Sequence, residues 1–170
     1  GTPEWIGAFS EYFNADEKTV YKLADQTSYE MGTLAEPLAV AVHTVNHAET
    51  RTGGLVILGA GTIGQLILAV ARKRGYSPII VTDTAAFNRE FAVKHGADAA
   101  LDPVTENIPE KVKEMTGGRG ADLAIIAAGA DNILDQACEC VHKCGEIGIV
   151  AMITNKIPVS YTHLTLPTIR

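Results

Sequence analysis

The hexapeptide Gly59-Ala60-Gly61-Thr62-Ile63-Gly64 constrains this chain more than any other stretch. A GxGxxG spacing alone says little, because glycine is common; its surroundings give it meaning. The apolar run Leu55–Leu58 precedes it and reads as a strand, while Ile63, Leu66, Ile67, Val70 and Ala71 after it follow helical spacing. Asp83 stands nineteen residues beyond Gly64, at the end of the next apolar run, Ile79–Thr82. In a strand-turn-helix of this kind Gly59 permits the tight turn, and Gly61 lets backbone approach a pyrophosphate at the helix N-terminus. Gly64 lets helix and strand pack closely, and Asp83 would accept hydrogen bonds from ribose hydroxyls. Two other readings stand beside this one. The glycines could serve packing alone, with Asp83 a turn residue, or the turn could hold S-adenosylmethionine, although such sites usually show GxGxG without the third glycine at this spacing. A 2′-phosphate would sit beside the Asp83 carboxylate, and Thr84, Ala85 and Ala86 offer no cation to offset it, so NAD is favoured over NADP.

The alternation continues downstream. Ala99–Leu101, Leu123–Ala127 and Glu146–Met152 read as further strands. Helices are expected over Gly61–Arg74, over Ala85–His95 closed by Gly96, and over Ile108–Met115 closed by Gly117 and Gly118. A fourth is capped by Asp131, carries Ile133, Ala137 and Val141 on one face, and ends at Gly145. Apolar strands alternating with such helices predict an α/β fold, a Rossmann doubly wound parallel sheet of about five strands. Before Gly53 the texture changes. Gly7 to Leu23 reads as extended segments and turns, Thr27 and Glu30 form a capping box that opens a helix, and Pro37 interrupts it. A second helix is expected from there to about His47, with Glu36 at its N-terminal edge.

Composition narrows the functions. Fourteen Lys and Arg against 20 Asp and Glu leave a net charge of -6, the wrong sign for reading a phosphate backbone, so no nucleic-acid partner is expected. Residues 52–71 carry no charge, but their glycines break the run into turn, strand, turn and helix, so no membrane span is expected either. Cys138, Cys140 and Cys144 do not make a secreted disulfide framework, which points to a reducing, cytoplasmic setting.

With these motifs in place, the chain resembles the zinc-type medium-chain alcohol dehydrogenases, within them the sorbitol (L-iditol) and threonine dehydrogenase group. The resemblance covers most of residues 7 to 157. It rests on Gly7–Tyr12, Val20–Leu23, Gly32–Val40 with His43, the glycine turn, and Gly96-Ala97-Asp98; the EPLAVAVH stretch is its most specific part. It implies that residues 1–35 are the remnant of a β-rich, GroES-like catalytic domain with a linking helix, and that 36–157 form the NAD-binding domain. It also implies that the chain is an internal fragment, since the Cys and the His-Glu pair that hold the family's catalytic zinc have no counterpart here. By the same resemblance Glu36 is a catalytic residue and a candidate metal ligand, direct or through water, reaching the zinc from the cofactor side. Thr62, Ile63, Asp83 and the Val150-Ala151-Met152 stretch match NAD contacts. The sequence departs from the family twice: Asn88 stands where an arginine is usual, with Arg89 one place later, and Ala151 stands where a glycine is usual.

Other constellations have plainer readings. The cysteines lie on a predicted helix, where positions two apart point in different directions, so free thiols are favoured over a metal tract. His43 and His47 share a helix face without a third ligand close in sequence. Glu36 could be a helix-start carboxylate stabilised by the macrodipole. Residues 158–170 do not continue the pattern. Val159 to Thr168 resembles the in-frame translation of a transposon-end sequencing adapter, and the competing reading is a sixth strand over Val159–Leu166. The expectation is therefore the cofactor-binding half of an NAD- and zinc-dependent dehydrogenase, inactive by itself, whose intact parent oxidises a small alcohol or polyol to a ketone and is a homo-oligomer. A non-catalytic NAD-sensing module and a zinc-free quinone-reductase relative are the rivals.

Overall fold

A computed structural model describes residues 7–152; the tail, with both of its readings, lies outside them. The chain divides after Ala35 into two compact units. In the first, a 3-10 turn over Glu17–Thr19 is capped by Asp16, and a short helix, α1 (Tyr29–Thr33), opens on Ser28, whose hydroxyl accepts from the Met31 amide. This corrects the expected cap by one residue, since Ser28 and not Thr27 supplies the oxygen. The break before the next helix, α2 (Ala35–His47), falls at Leu34 rather than at Pro37. Pro37 sits in the first turn of α2, where no intrahelical donor is lost.

The second unit is built on β1 (Gly53–Leu58), α3 (Thr62–Arg74), β2 (Tyr76–Thr82), α4 (Ala86–Lys94), β3 (Ala99–Leu101), α5 (Ile108–Met115), β4 (Ala121–Ile126), α6 (Ile133–Cys140) and β5 (Val141–Ile149). All four strand pairings are parallel and the order is β3-β2-β1-β4-β5, the arrangement of a doubly wound dinucleotide-binding sheet. Successive strand residues serve opposite faces. Leu55 and Ile57 of β1 pack with Ala41 and Val45 of α2, with Ile67, Leu68 and Ala71 of α3 and with Ala92 of α4. Val56 and Leu58 pack with Ile108 and Val112 of α5 and with Ile133, Ala137 and Cys140 of α6. Strands covered on both faces have no polar alternation, which is why their runs read as continuous apolar stretches.

Boundaries shift where long-range pairing overrides local pattern. β2 starts at Tyr76 opposite Gly53, with an irregularity before Leu55 meets Ile79, and Pro78, which has no N–H to give the ladder, falls inside it. The fourth downstream helix opens on Asn132 rather than Asp131, without a side-chain cap, and stops at Cys140. Val141, expected on that helix, already pairs with Ala121. The ladder then skips to Glu146 opposite Leu123, leaving Cys144 with a φ of 69° in the bulge. β5 ends at Ile149, so Val150, Ala151 and Met152 follow the strand instead of belonging to it. Among the described residues no helix is long and apolar enough to cross a membrane.

Candidate functional site

In a parallel sheet the crevice for a ligand opens at the carboxyl ends of the strands, where the chain's winding reverses, here between β1 and β4. A cleft of about 330 Å³ lies there. Gly59 lines it from the turn after β1, Thr82 from the end of β2 with Asp83 and Thr84 just beyond, and Pro103 and Val104 from the loop after β3. Ala128, Gly129 and Ala130 contribute from beyond β4, and Asn132, Ile133 and Gln136 from the start of α6. None of these lining residues is a lysine or arginine.

The three glycines meet three different spatial demands. Gly59 has φ 109°, and a Cβ there would stand 2.6 Å from the Ala128 Cβ, so both the turn and the approach of β4 require it. At Gly64 an added Cβ would lie 1.9 Å from the Gly59 carbonyl oxygen, which fixes how closely α3 packs on the turn. Gly61 has φ -69° and nothing within 4 Å of its would-be Cβ. Neither backbone conformation nor the protein's own packing calls for glycine there; open space beside a helix start does, if a ligand's backbone-hugging group is to occupy it. Gly61 is also the N-cap of α3, and it gives the first turn no side-chain cap. The amides of Thr62, Ile63 and Gly64 are thus left for an external acceptor, and the macrodipole favours an anion.

Asp83 closes the other side. One carboxylate oxygen accepts from the Ala60 amide at 2.9 Å and the other from the Ala85 amide at 2.8 Å. The side chain therefore ties the glycine turn to the loop after β2 and keeps lone pairs available to hydroxyl donors. Gln65, which sequence reasoning passed over, adds a second tie, its Nε2 donating to the carbonyls of Ala60 and Asn88 at 3.1 and 2.9 Å. Asn88 enters the site region through that carbonyl on α4. Arg89 donates through Nη1 to the carbonyls of Asp83 and Thr84 at 2.8 and 2.9 Å and pairs through Nη2 with Asp102 at 3.2 Å.

The remaining sequence candidates lie outside the lining of the cleft. Val150 and Ala151 both donate their amides to the Ile126 carbonyl at 3.0 Å, which sets the end of β5 beside the end of β4, and Met152 is exposed. Thr62 is exposed and Ile63 half-buried at the start of α3. Glu36 is exposed in the first turn of α2. His43 and His47 stack, with centroids 5.4 Å apart. The three thiols are free, and burial, reinforced by Glu139, pushes the Cys140 thiol up to about 12. Among the described residues no group of three His, Cys, Asp or Glu could hold a metal ion. The cleft residues that sequence reasoning missed, Ala128 to Ala130 with Asn132 and Gln136, had one local signal, the small-residue run Ala127-Ala128-Gly129-Ala130 after an apolar strand.

Comparison with known proteins points the same way. The family model for zinc-binding dehydrogenases matches residues 62–170. The L-threonine 3-dehydrogenase of Pyrococcus abyssi is 32% identical over 160 residues, 94% of this chain and 46% of that protein. The sorbitol dehydrogenase of Bacillus subtilis is 32% identical over 161 residues, again 94% and 46%. A solved structure of an oxidoreductase/dehydrogenase of unknown specificity from Escherichia coli superposes with a TM-score of 0.89 at 29% identity, over 96% of this chain and 48% of that one. The chain spans about half the length of the relatives it matches. A doubly wound sheet, a glycine turn with an uncapped helix start, and these matches over most of the chain all converge: this chain belongs to the zinc-binding dehydrogenase family.

Proposed function

We propose that the chain is the cofactor-binding half of an NAD-dependent dehydrogenase that oxidises a secondary alcohol, a polyol or L-threonine, to a ketone. The carrying observation is Gly61: it has no steric need of its own to be glycine, and it opens a helix whose first amides lack a side-chain cap, two residues after Gly59, which lines the cleft. These residues fit a dinucleotide. The amides of α3 hold the pyrophosphate, Asp83 accepts from the adenosine ribose, and Ile63 with Val150, Ala151 and Met152 flanks the path towards the nicotinamide. When bound, the nicotinamide supplies the hydride acceptor. The substrate class is supported by the activities for which these two relatives are named, each identical to this chain at 32% of the aligned positions.

Zinc is a separate question. The described residues form no three-ligand cluster, so they do not make a metal site among themselves. On the family resemblance Glu36 is the residue of this chain assigned to the metal or substrate side, with residues 1–35 a remnant of the catalytic domain, and the intact protein a cytoplasmic homo-oligomer. Titrating NADH and NADPH into the purified chain tests the cofactor reading. NADH should bind more tightly, and Asp83→Ala should erase most of that preference; failure of either dinucleotide to bind, or tighter binding of NADPH, overturns it.

A further inference from the structure

A carboxylate facing the ribose rejects a 2′-phosphate only if no cation nearby compensates for it. Arg89 is such a cation in waiting, because its Nη1 lies within 2.8 and 2.9 Å of the carbonyls of Asp83 and Thr84, and both of those residues line the cleft. Its side chain is only 20% exposed and that of Asp102, its partner at 3.2 Å, only 22%. Asp102 is itself held in place. It follows β3, its second carboxylate oxygen accepts from the Val104 amide at 2.9 Å, and its own amide donates to the Glu106 carboxylate at 3.1 Å. Val104 and Pro103 line the same cleft.

We propose that Asp102 is a positioning residue for cofactor choice: by holding the Arg89 guanidinium it withdraws the cation adjoining the Asp83 loop and leaves Asp83 unopposed against a 2′-phosphate. The inference rests on the dinucleotide reading above. Guanidinium pairs with phosphate as readily as with carboxylate, so losing Asp102 releases Nη2 from its one partner among the described residues, beside the loop that carries Asp83 and Thr84. Cofactor preference is then set by two carboxylates, one touching the ribose and one acting through an arginine.

The test measures dissociation constants of NADH and NADPH on the full chain by fluorescence titration. Asp102→Asn removes the charge while keeping the shape, and it should tighten NADPH about tenfold relative to NADH. Adding Arg89→Gln to that variant should cancel the gain. A merely structural role for Asp102 would weaken both cofactors together and leave their ratio unmoved, which overturns the proposal. Arg89→Gln by itself gives an independent check that does not depend on the Asp102 variant folding. The ratio should stay at the wild-type value, because the cation is already withdrawn; a selective loss of NADPH binding would show that Arg89 already serves the 2′ position and would also overturn the proposal. Failure of the wild-type chain to bind either dinucleotide would defeat the underlying cofactor reading instead, and with it this inference.

Discussion

The two ends of the sheet treat their backbone donors in opposite ways. At the amino end carboxylates accept from three backbone amides at and before β1. Asp122 accepts from the Gly54 amide at 2.7 Å while also holding Arg119 at 2.7 Å and His142 at 3.2 Å, and Glu146 accepts from the amides of Glu49 and Thr50 at 3.1 and 2.9 Å. At the carboxyl end, Asp102 and Glu106 accept amides within the loop after β3, but α3 opens on a glycine that caps nothing, and Asp83 takes Ala60 and Ala85 rather than the first turn of the helix. A donor left to water gains a fixed partner only when a ligand meets it, whereas a donor met by the protein keeps its partner in every state of ligation. One end of the same sheet thus ties its strands together through carboxylates, and the other leaves the first amides of a helix without a partner from the protein, as the proposed anion site requires.

Substitutions can break or sharpen that contrast. The largest effect is expected from Gly64→Ala, where the new Cβ would meet the Gly59 carbonyl. A loss of about 3 kcal/mol or more, or failure to fold, should appear in urea unfolding, and a wild-type midpoint would mean that the turn can move aside. Asp122→Ala comes next. It strands the Gly54 amide and should cost about 1–3 kcal/mol at neutral pH without changing cofactor affinity.

The same residue gives the pH dependence a sign. Burial would raise the Asp122 carboxyl, but the Gly54 amide, Arg119 and His142 outweigh it and hold the group below its ordinary value of 3.8. A lowered folded-state value means that the stabilisation is complete above 3.8 and disappears as pH falls through the folded value. Thermal unfolding between pH 2 and 5 should therefore show a smaller loss with acid in Asp122→Ala than in the wild type. Equal slopes would remove Asp122 from the account.

Gly61→Val should do the reverse of Asp122→Ala. Stability should fall by no more than about 1 kcal/mol, the order of the N-cap preference for glycine over valine, since the φ of -69° suits any residue and the space is open, while NADH binding weakens about tenfold or more because the side chain occupies the approach proposed for the pyrophosphate. The smallest effect is expected from Glu36→Gln, exposed on α2 and outside the cleft lining. NADH affinity should change by less than about twofold, and a larger loss would draw α2 into the cofactor site.

Much of the proposed site was legible because its demands are local. A glycine turn, a helix start and an acidic strand end are requirements of a few consecutive residues, so Gly59, Gly61, Gly64 and Asp83 could be assigned from spacing and flanking periodicity. Gln136, Asn132 and Ala128 could not. They reach the cleft only because β4 pairs with β1, a strand more than sixty residues earlier, and no local pattern records which strand will be the neighbour. Arg89 looked like an arginine one place late; its ties to Asp83, Thr84 and Asp102 required the loops after β2 and β3 to be side by side.

The stretch from Ile133 to Ile149 shows where local pattern stops deciding. Ile133, Ala137 and Val141 fit one helical face, and that period was a real preference. Pairing with Ala121 claimed Val141 for the sheet, and the surplus residues were taken up in a bulge that puts Cys144 at φ 69°. There the would-be Cβ of Gly145 would lie 2.8 Å from the Val141 Cβ. By itself, the sequence determined the alternation of strand and helix, the glycine turn and its acidic partner, because hydrophobic period and backbone conformation act over a few residues. Only the tertiary structure decided strand order, the end of α6 and the company Arg89 keeps, because parallel pairing joins distant segments and its hydrogen bonds outweigh the local preference of any one residue.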